Sequence, residues 1–174
     1  NAEVGDRAND SVRVNGNELR AKVVAEGGNL GFTQLGREEY ALNGGKINTD
    51  AIDNSAGVDC SDHEVNIKIL LNTVVDAGDM TLKQRNELLS EMTEEVSELV
   101  LMNNIRQTAI LSMAAASSAD NIDMHKRLIQ YLETNANLNR TVEFLPTDDA
   151  LNARKHNQEG LTRPELAVLL AYSK

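Results

Sequence analysis

The sequence predicts an α/β chain, with a strand-helix-strand unit over residues 1–60 followed by a predominantly α-helical region over 61–174, and three observations predict it. The apolar run Val23-Val24-Ala25 is broken by Gly27, Gly28 and Gly31, as at the end of a buried strand. A helix signal opens at Thr33 and stops at Asn43-Gly44-Gly45, and a second extended stretch, Lys46 to Ala51 with Ile47, follows it to complete a βαβ unit. From Ser61 onward, apolar residues recur at helical spacing.

Taken in order, Asn15-Gly16-Asn17 is a turn ahead of the first strand. Ser61-Asp62-His63-Glu64 has the form of a capping box, and Ile67, Leu70, Leu71, Val74 and Val75 carry the helix it would open as far as Gly78. Leu82 to Met113 reads as one long amphipathic helix: Leu88, Leu89, Met92, Val96, Leu99 and Val100 form its stripe, and Glu87, Glu91, Glu94, Glu95 and Glu98 lie largely opposite. Met92, Met102 and Met113 are core fillers in this reading. Another helix covers Asp120 to Asn135, and Leu145-Pro146-Thr147 opens one from Asp148 to Gln158, which Gly160 closes. Thr162-Arg163-Pro164-Glu165 is a second capping box and starts the last helix. No internal repeat is visible.

Composition narrows the function classes. Of the 174 residues 41% are hydrophobic, enough to bury a core. The net charge of −10 repels a phosphate backbone, so nucleic acid is excluded as an expected partner. No apolar run approaches the roughly 20 residues that span a bilayer, and the start has no secretory leader pattern, so no membrane association is expected. The one cysteine, Cys60, forms no internal disulfide, which fits a reducing, cytoplasmic setting. An opening Asn1 and a last helix without a stop signal read as a piece of a longer protein.

Two short motifs carry the candidate chemistry, Glu26-Gly27-Gly28-Asn29 and Asp53-Asn54-Ser55-Ala56-Gly57-Val58 running into Ser61. Each places a small polar side chain just after an extended run, beside glycines that let a ligand approach the backbone, and two such edges can wall one pocket. Each residue also has a local explanation: Gly28 and Asn29 as a plain turn, Asn54 as a turn cap, Ser61 as a helix cap. His63, His125 and His156 have no ligand spacing, so no metal is expected. Cys60 lies beside Asp59 and Asp62, which oppose rather than favour a thiolate.

The order and spacing of these motifs resemble the cofactor domain of the glutamate dehydrogenases, which read Glu-Gly-Ala-Asn, then Asn-Ala-Gly-Gly-Val, with a serine seven residues after the second asparagine. The matching positions are Asn29, Asn54 and Ser61. The runs Gly5-Asp6-Arg7-Ala8-Asn9-Asp10 and Val65-Asn66-Ile67-Lys68-Ile69-Leu70-Leu71-Asn72 resemble the large bacterial NAD-specific members, along most of the chain. The resemblance implies that residues 1–60 are the distal part of a Rossmann-like NAD-binding domain. It implies NAD as cofactor, L-glutamate and 2-oxoglutarate as substrates, and a homo-oligomeric parent. Gly28, Asn29 and Asn54 would contact the cofactor, Asn54 and Ser61 the substrate, and a hydroxyl at position 61 favours glutamate over apolar amino acids.

The sequence departs from the family at Gly28 and at Ser55-Ala56, where the family has Ala and Ala-Gly. No segment matches the family's catalytic lysine and aspartate or its G-x-G-x-x-G turn, so no catalytic residue is expected here and the piece should be inactive alone. A second reading, drawn from residues alone, takes 62 to 174 as a helical interaction or regulatory module without a site of its own.

Overall fold

The computed structural model describes residues 8–28 and 31–173. Among them no β-strand forms, which overturns the expected α/β, Rossmann-like βαβ unit. What remains of it is a single parallel bridge between Val23 and Lys46. Val24 N–H donates to the Lys46 carbonyl at 2.9 Å, and Lys46 N–H to that of Lys22 at 3.1 Å. A parallel ladder needs cover on both faces and more than one neighbour, whereas Val23 is 63% exposed and the second run turns helical at Asp50. The direction of the two segments is as expected; the sheet is not.

The helices are α1 (Gln34–Leu42), α2 (Asp50–Asp53), α3 (Ser55–Asp76), α4 (Leu82–Glu91), α5 (Thr93–Ala116), α6 (Ile122–Asn135), α7 (Asp148–His156) and α8 (Arg163–Tyr172). Local chemistry sets most of their ends. Thr33 Oγ1 accepts from Gly36 N–H and starts α1, and Gly44, at φ +86°, stops it. Thr147 accepts from Ala150 N–H to open α7, and Thr162 with Glu165 forms the reciprocal box that opens α8.

Two expectations are corrected. Helix α3 starts six residues before Ser61, so Ser61-Asp62-His63-Glu64 is not the box that opens it. Glu64 pairs with Lys68 one turn on and not with a cap. The long helix from Leu82 divides at Met92, where the Thr93 hydroxyl donates to the Leu89 carbonyl at 3.2 Å, a side-chain competition that bends helices.

The described residues fall into two compact units, one drawn from Asn1–Asp53 and Ile110–Lys174, the other being Asn54–Ala109. In the first, α1, α2 and α6 pack against α8, and α7 packs on α6. Its core gathers Ile52, Leu111, Ile129, Leu151 and Leu166. In the second, α3 packs on α4. Val100 is buried there, while Val58, Leu70, Leu101 and Ile105 stay exposed.

Candidate functional site

Asn54 closes the turn after α2 and stands immediately before α3, with φ −109° and ψ 28°. It makes no side-chain capping bond, so capping does not account for it. Its amide instead folds over Gly57: a Cβ built on Gly57 would stand 2.7 Å from Asn54 Oδ1 and 3.0 Å from Nδ2. Gly57 is the residue that leaves room for that rotamer.

Ser61 is exposed in the second turn of α3, where a serine has no orphan amide to cap. Seven residues are nearly two helical turns, so Asn54 and Ser61 fall on one face of α3, about 10 Å apart along its axis. Val58 and Val65 share that face and are exposed like Ser61, while Asn54 is half-buried. Both side chains thus lose the cap roles that the sequence left open to them.

Gly28 lies in the other unit, exposed, and a Cβ there would meet nothing within 4 Å. Asn29 lies outside the described residues. A Cβ built on Gly31 would stand 2.6 Å from the Glu26 carboxylate, so that flexible side chain would have to shift to admit it. Glu26 curls back to accept from Gly31 N–H.

The first residues of the two motifs meet. Glu26 N–H donates to Asp53 Oδ2 at 3.0 Å, and Asn48 Nδ2 donates to Asp53 Oδ1 at 2.7 Å. Behind them lies Arg37, 2% exposed, which sequence reasoning missed. Its guanidinium donates to Glu26 Oε2 at 2.8 Å, to the Asn48 carbonyl at 2.8 Å and to Asp50, and it stacks 5.4 Å from the centroid of Phe32. Arg163 from α8 reaches Asn48 and, at 2.9 Å, Ser112. Burial pulls its pKa down, and the charge of Asp53 opposes that. The one local signal for Arg37 is its place three residues before Tyr40 on the inward face of α1.

An open cleft of about 580 Å³ is lined by Lys22, Val23, Tyr40, Gly45 and Lys46 among others, and none of the expected site residues lines it. Among the described residues no group of three His, Cys, Asp or Glu side chains could hold a metal ion, and no helix is long and apolar enough to cross a membrane.

Known proteins carry the same sequence pattern. Residues 1–114 match the family described as bacterial NAD-glutamate dehydrogenase, catalytic domain. Over 173 residues, 99% of its length, the chain is 61% identical to the NAD-specific glutamate dehydrogenase of Pseudomonas aeruginosa. The same stretch is 55% identical to the protein of that name from Halomonas elongata and 53% identical to that from Mycobacterium tuberculosis. The chain spans 11% of the length of each of these relatives. By the match over residues 1–114, the chain belongs to the bacterial NAD-glutamate dehydrogenase family.

Proposed function

We propose that this chain contributes nicotinamide-side and substrate-side contacts to an NAD-dependent glutamate dehydrogenase, which converts L-glutamate, NAD and water to 2-oxoglutarate, ammonium and NADH. The observation that carries this reading is that Asn54, half-buried, and Ser61, exposed, share one face of α3, with neither side chain used as a cap. Their separation of about 10 Å along the axis suits two neighbouring ligands or the two ends of one extended substrate. Asn54, at the positive end of a 22-residue helix, offers both a donor and an acceptor to a ribose or to the near end of the substrate. Ser61 donates its hydroxyl to the distal carboxylate of glutamate. The assignment of cofactor contacts to Gly28 and Asn29 rests on the family resemblance alone. NAD, when bound, supplies the hydride acceptor, and this chain's part is orientation.

The test is Ser61→Val in the full-length protein. Loss of a hydrogen bond to a charged group raises KM for glutamate roughly 10- to 100-fold and leaves KM for NAD within about twofold. An unchanged KM for glutamate overturns the assignment of Ser61.

Gly57→Ala separates site from scaffold. Alanine is the better helix former, so unfolding temperature holds or rises, while the displaced Asn54 amide weakens substrate or cofactor use by about tenfold in kcat/KM. Equal kcat/KM in the two proteins would sink the role of Asn54.

The isolated 174-residue chain should show no dehydrogenase turnover, since nothing in it matches the proton-transfer residues of the family; measurable NADH formation refutes that division of labour. A reducing cytoplasm suits its exposed, free Cys60, and a homo-oligomeric parent follows from the family resemblance. A second reading has one observation in its favour: in the Asn54–Ala109 unit Ile69 is 57%, Leu101 60% and Ile105 57% exposed, so these helices can also serve as a docking module.

A further inference from the structure

We infer that Asn103 and Asn104, adjacent on α5, are positioning residues for the Asn54 and Ser61 face of α3; the inference rests on the site reading above. Asn104 Nδ2 donates to Ser55 Oγ at 2.8 Å, next in sequence to Asn54. Asn103 Nδ2 donates to Asp59 Oδ2 at 2.9 Å, two residues before Ser61. The other oxygen of Asp59 lies 3.4 Å from His63 Nδ1, which also contacts the Asp59 carbonyl at 2.9 Å.

Helix geometry explains why these contacts matter. Ser55, Asp59 and His63 recur every four residues and form one face, about 130° round the helix from the face of Asn54, Val58, Ser61 and Val65. One face is held to α5, and the other is left exposed. The two amide bridges fix both the rotation and the axial position of the first two turns of α3, and a slip of about 1 Å is enough to misplace a ligand. Neither asparagine touches the ligand in this arrangement; they act through Ser55 and Asp59.

The bridges differ chemically, and the difference makes the inference testable. Asn104 faces a hydroxyl, which can donate as well as accept, so Asn104→Asp keeps a bridge with the donor reversed. Asn103 faces a carboxylate, so Asn103→Asp replaces attraction with repulsion.

The experiment measures steady-state kinetics and thermal unfolding of the full-length enzyme carrying Asn103→Ala, Asn103→Asp, Asn104→Ala, Asn104→Asp or Ser61→Val, and the double variant Asn103→Ala with Ser61→Val. Asn103→Ala, Asn103→Asp and Asn104→Ala are expected to raise KM for glutamate about three- to tenfold with kcat within about twofold, while Asn104→Asp stays near the parent value. In the Ser61→Val background Asn103→Ala adds little, because its effect passes through Ser61. If Ser61→Val raises KM and the asparagine variants do not, or if they lower kcat and unfolding temperature together with KM unchanged, the inference fails and the site reading stands. If Ser61→Val leaves KM unchanged, the site reading fails and takes the inference with it.

Discussion

Arg37→Met lowers the stability of the 174-residue chain by about 3 kcal/mol, a drop of roughly 6–12 °C in unfolding temperature. Methionine fills much of the same space, so the loss comes from what is left behind. Glu26 and Asp50 lose their cation, and the Asn48 carbonyl loses its guanidinium donor. Removing one partner of a buried ion pair costs more than the pair contributes, because the remaining charges stay desolvated. Glu26 and Asp50 are 15% and 30% exposed at the side chain, so water recovers part of the penalty, and the lower end of the range for buried pairs applies. Neutralising Glu26 in the same background, Arg37→Met with Glu26→Gln, should restore about 1 kcal/mol. Urea unfolding of the three proteins checks this, and a loss below about 0.5 kcal/mol for Arg37→Met would remove Arg37 as the anchor of the glycine turn.

The network around Arg37 also accounts for the motif residues not expected to meet a ligand. Glu26 and Asp53 read in the sequence as companions of Asn29 and Asn54; in the fold Glu26 N–H donates to Asp53, and the Glu26 carboxylate accepts from Arg37 of α1. Gly31 belongs with them, since its missing Cβ is where the Glu26 carboxylate sits.

What the sequence made legible divides by the range of the interaction. Thr33 and Gly44 on α1, Gly78 after α3, and the box Thr162 to Glu165 were readable because each cap or stop is completed within about four residues. Ser61 to Glu64 has the same local pattern and misled. The true start of α3 involves Ser55, whose hydroxyl is engaged by Asn104, 49 residues later. The expected strands misled for a similar reason: Val23-Val24-Ala25 has β character, but a strand exists only through its neighbours, and here the pairing is a single bridge. The site followed the same rule. The seven-residue spacing of Asn54 and Ser61 becomes a shared face because a helix runs through it, whereas Arg37, Asn103 and Asn104 act on residues far away in sequence. The pair Asn103-Asn104 did leave a trace, as two amides interrupting the apolar run from Leu99 to Ile105.

Glu38→Gln should reshape the pH dependence of stability. Glu38 is 8% exposed between helices, and its Oε1 has no hydrogen-bond partner among the described residues. Burial first, then the nearby charge of Glu165, raises its pKa from 4.5 to about 7, against a smaller opposing pull from Arg154. Glu165 cannot relieve it: one of its oxygens already accepts from Arg154 and from Thr162, and the other has no partner among the described residues. A carboxyl whose folded pKa lies above its unfolded value favours folding below pH 4.5, and that contribution is lost as pH rises through about 7. The loss amounts to about 3 kcal/mol by pH 8. Glutamine keeps the shape and carries no charge, so Glu38→Gln should be nearly neutral at pH 4.5 and stabilising by about 2–3 kcal/mol at pH 8. His125 works in the opposite direction. Burial lowers its pKa from 6.5, so its ionisation costs stability as pH falls below that value. The unmodified chain is therefore squeezed from both sides near neutrality, and the glutamine variant should relieve only the alkaline side. Unfolding free energies of the two proteins across pH 4.5–8 decide the matter: a constant difference over that range would mean that Glu38 is ionised in the fold, and that Arg154 outweighs the burial of its carboxyl.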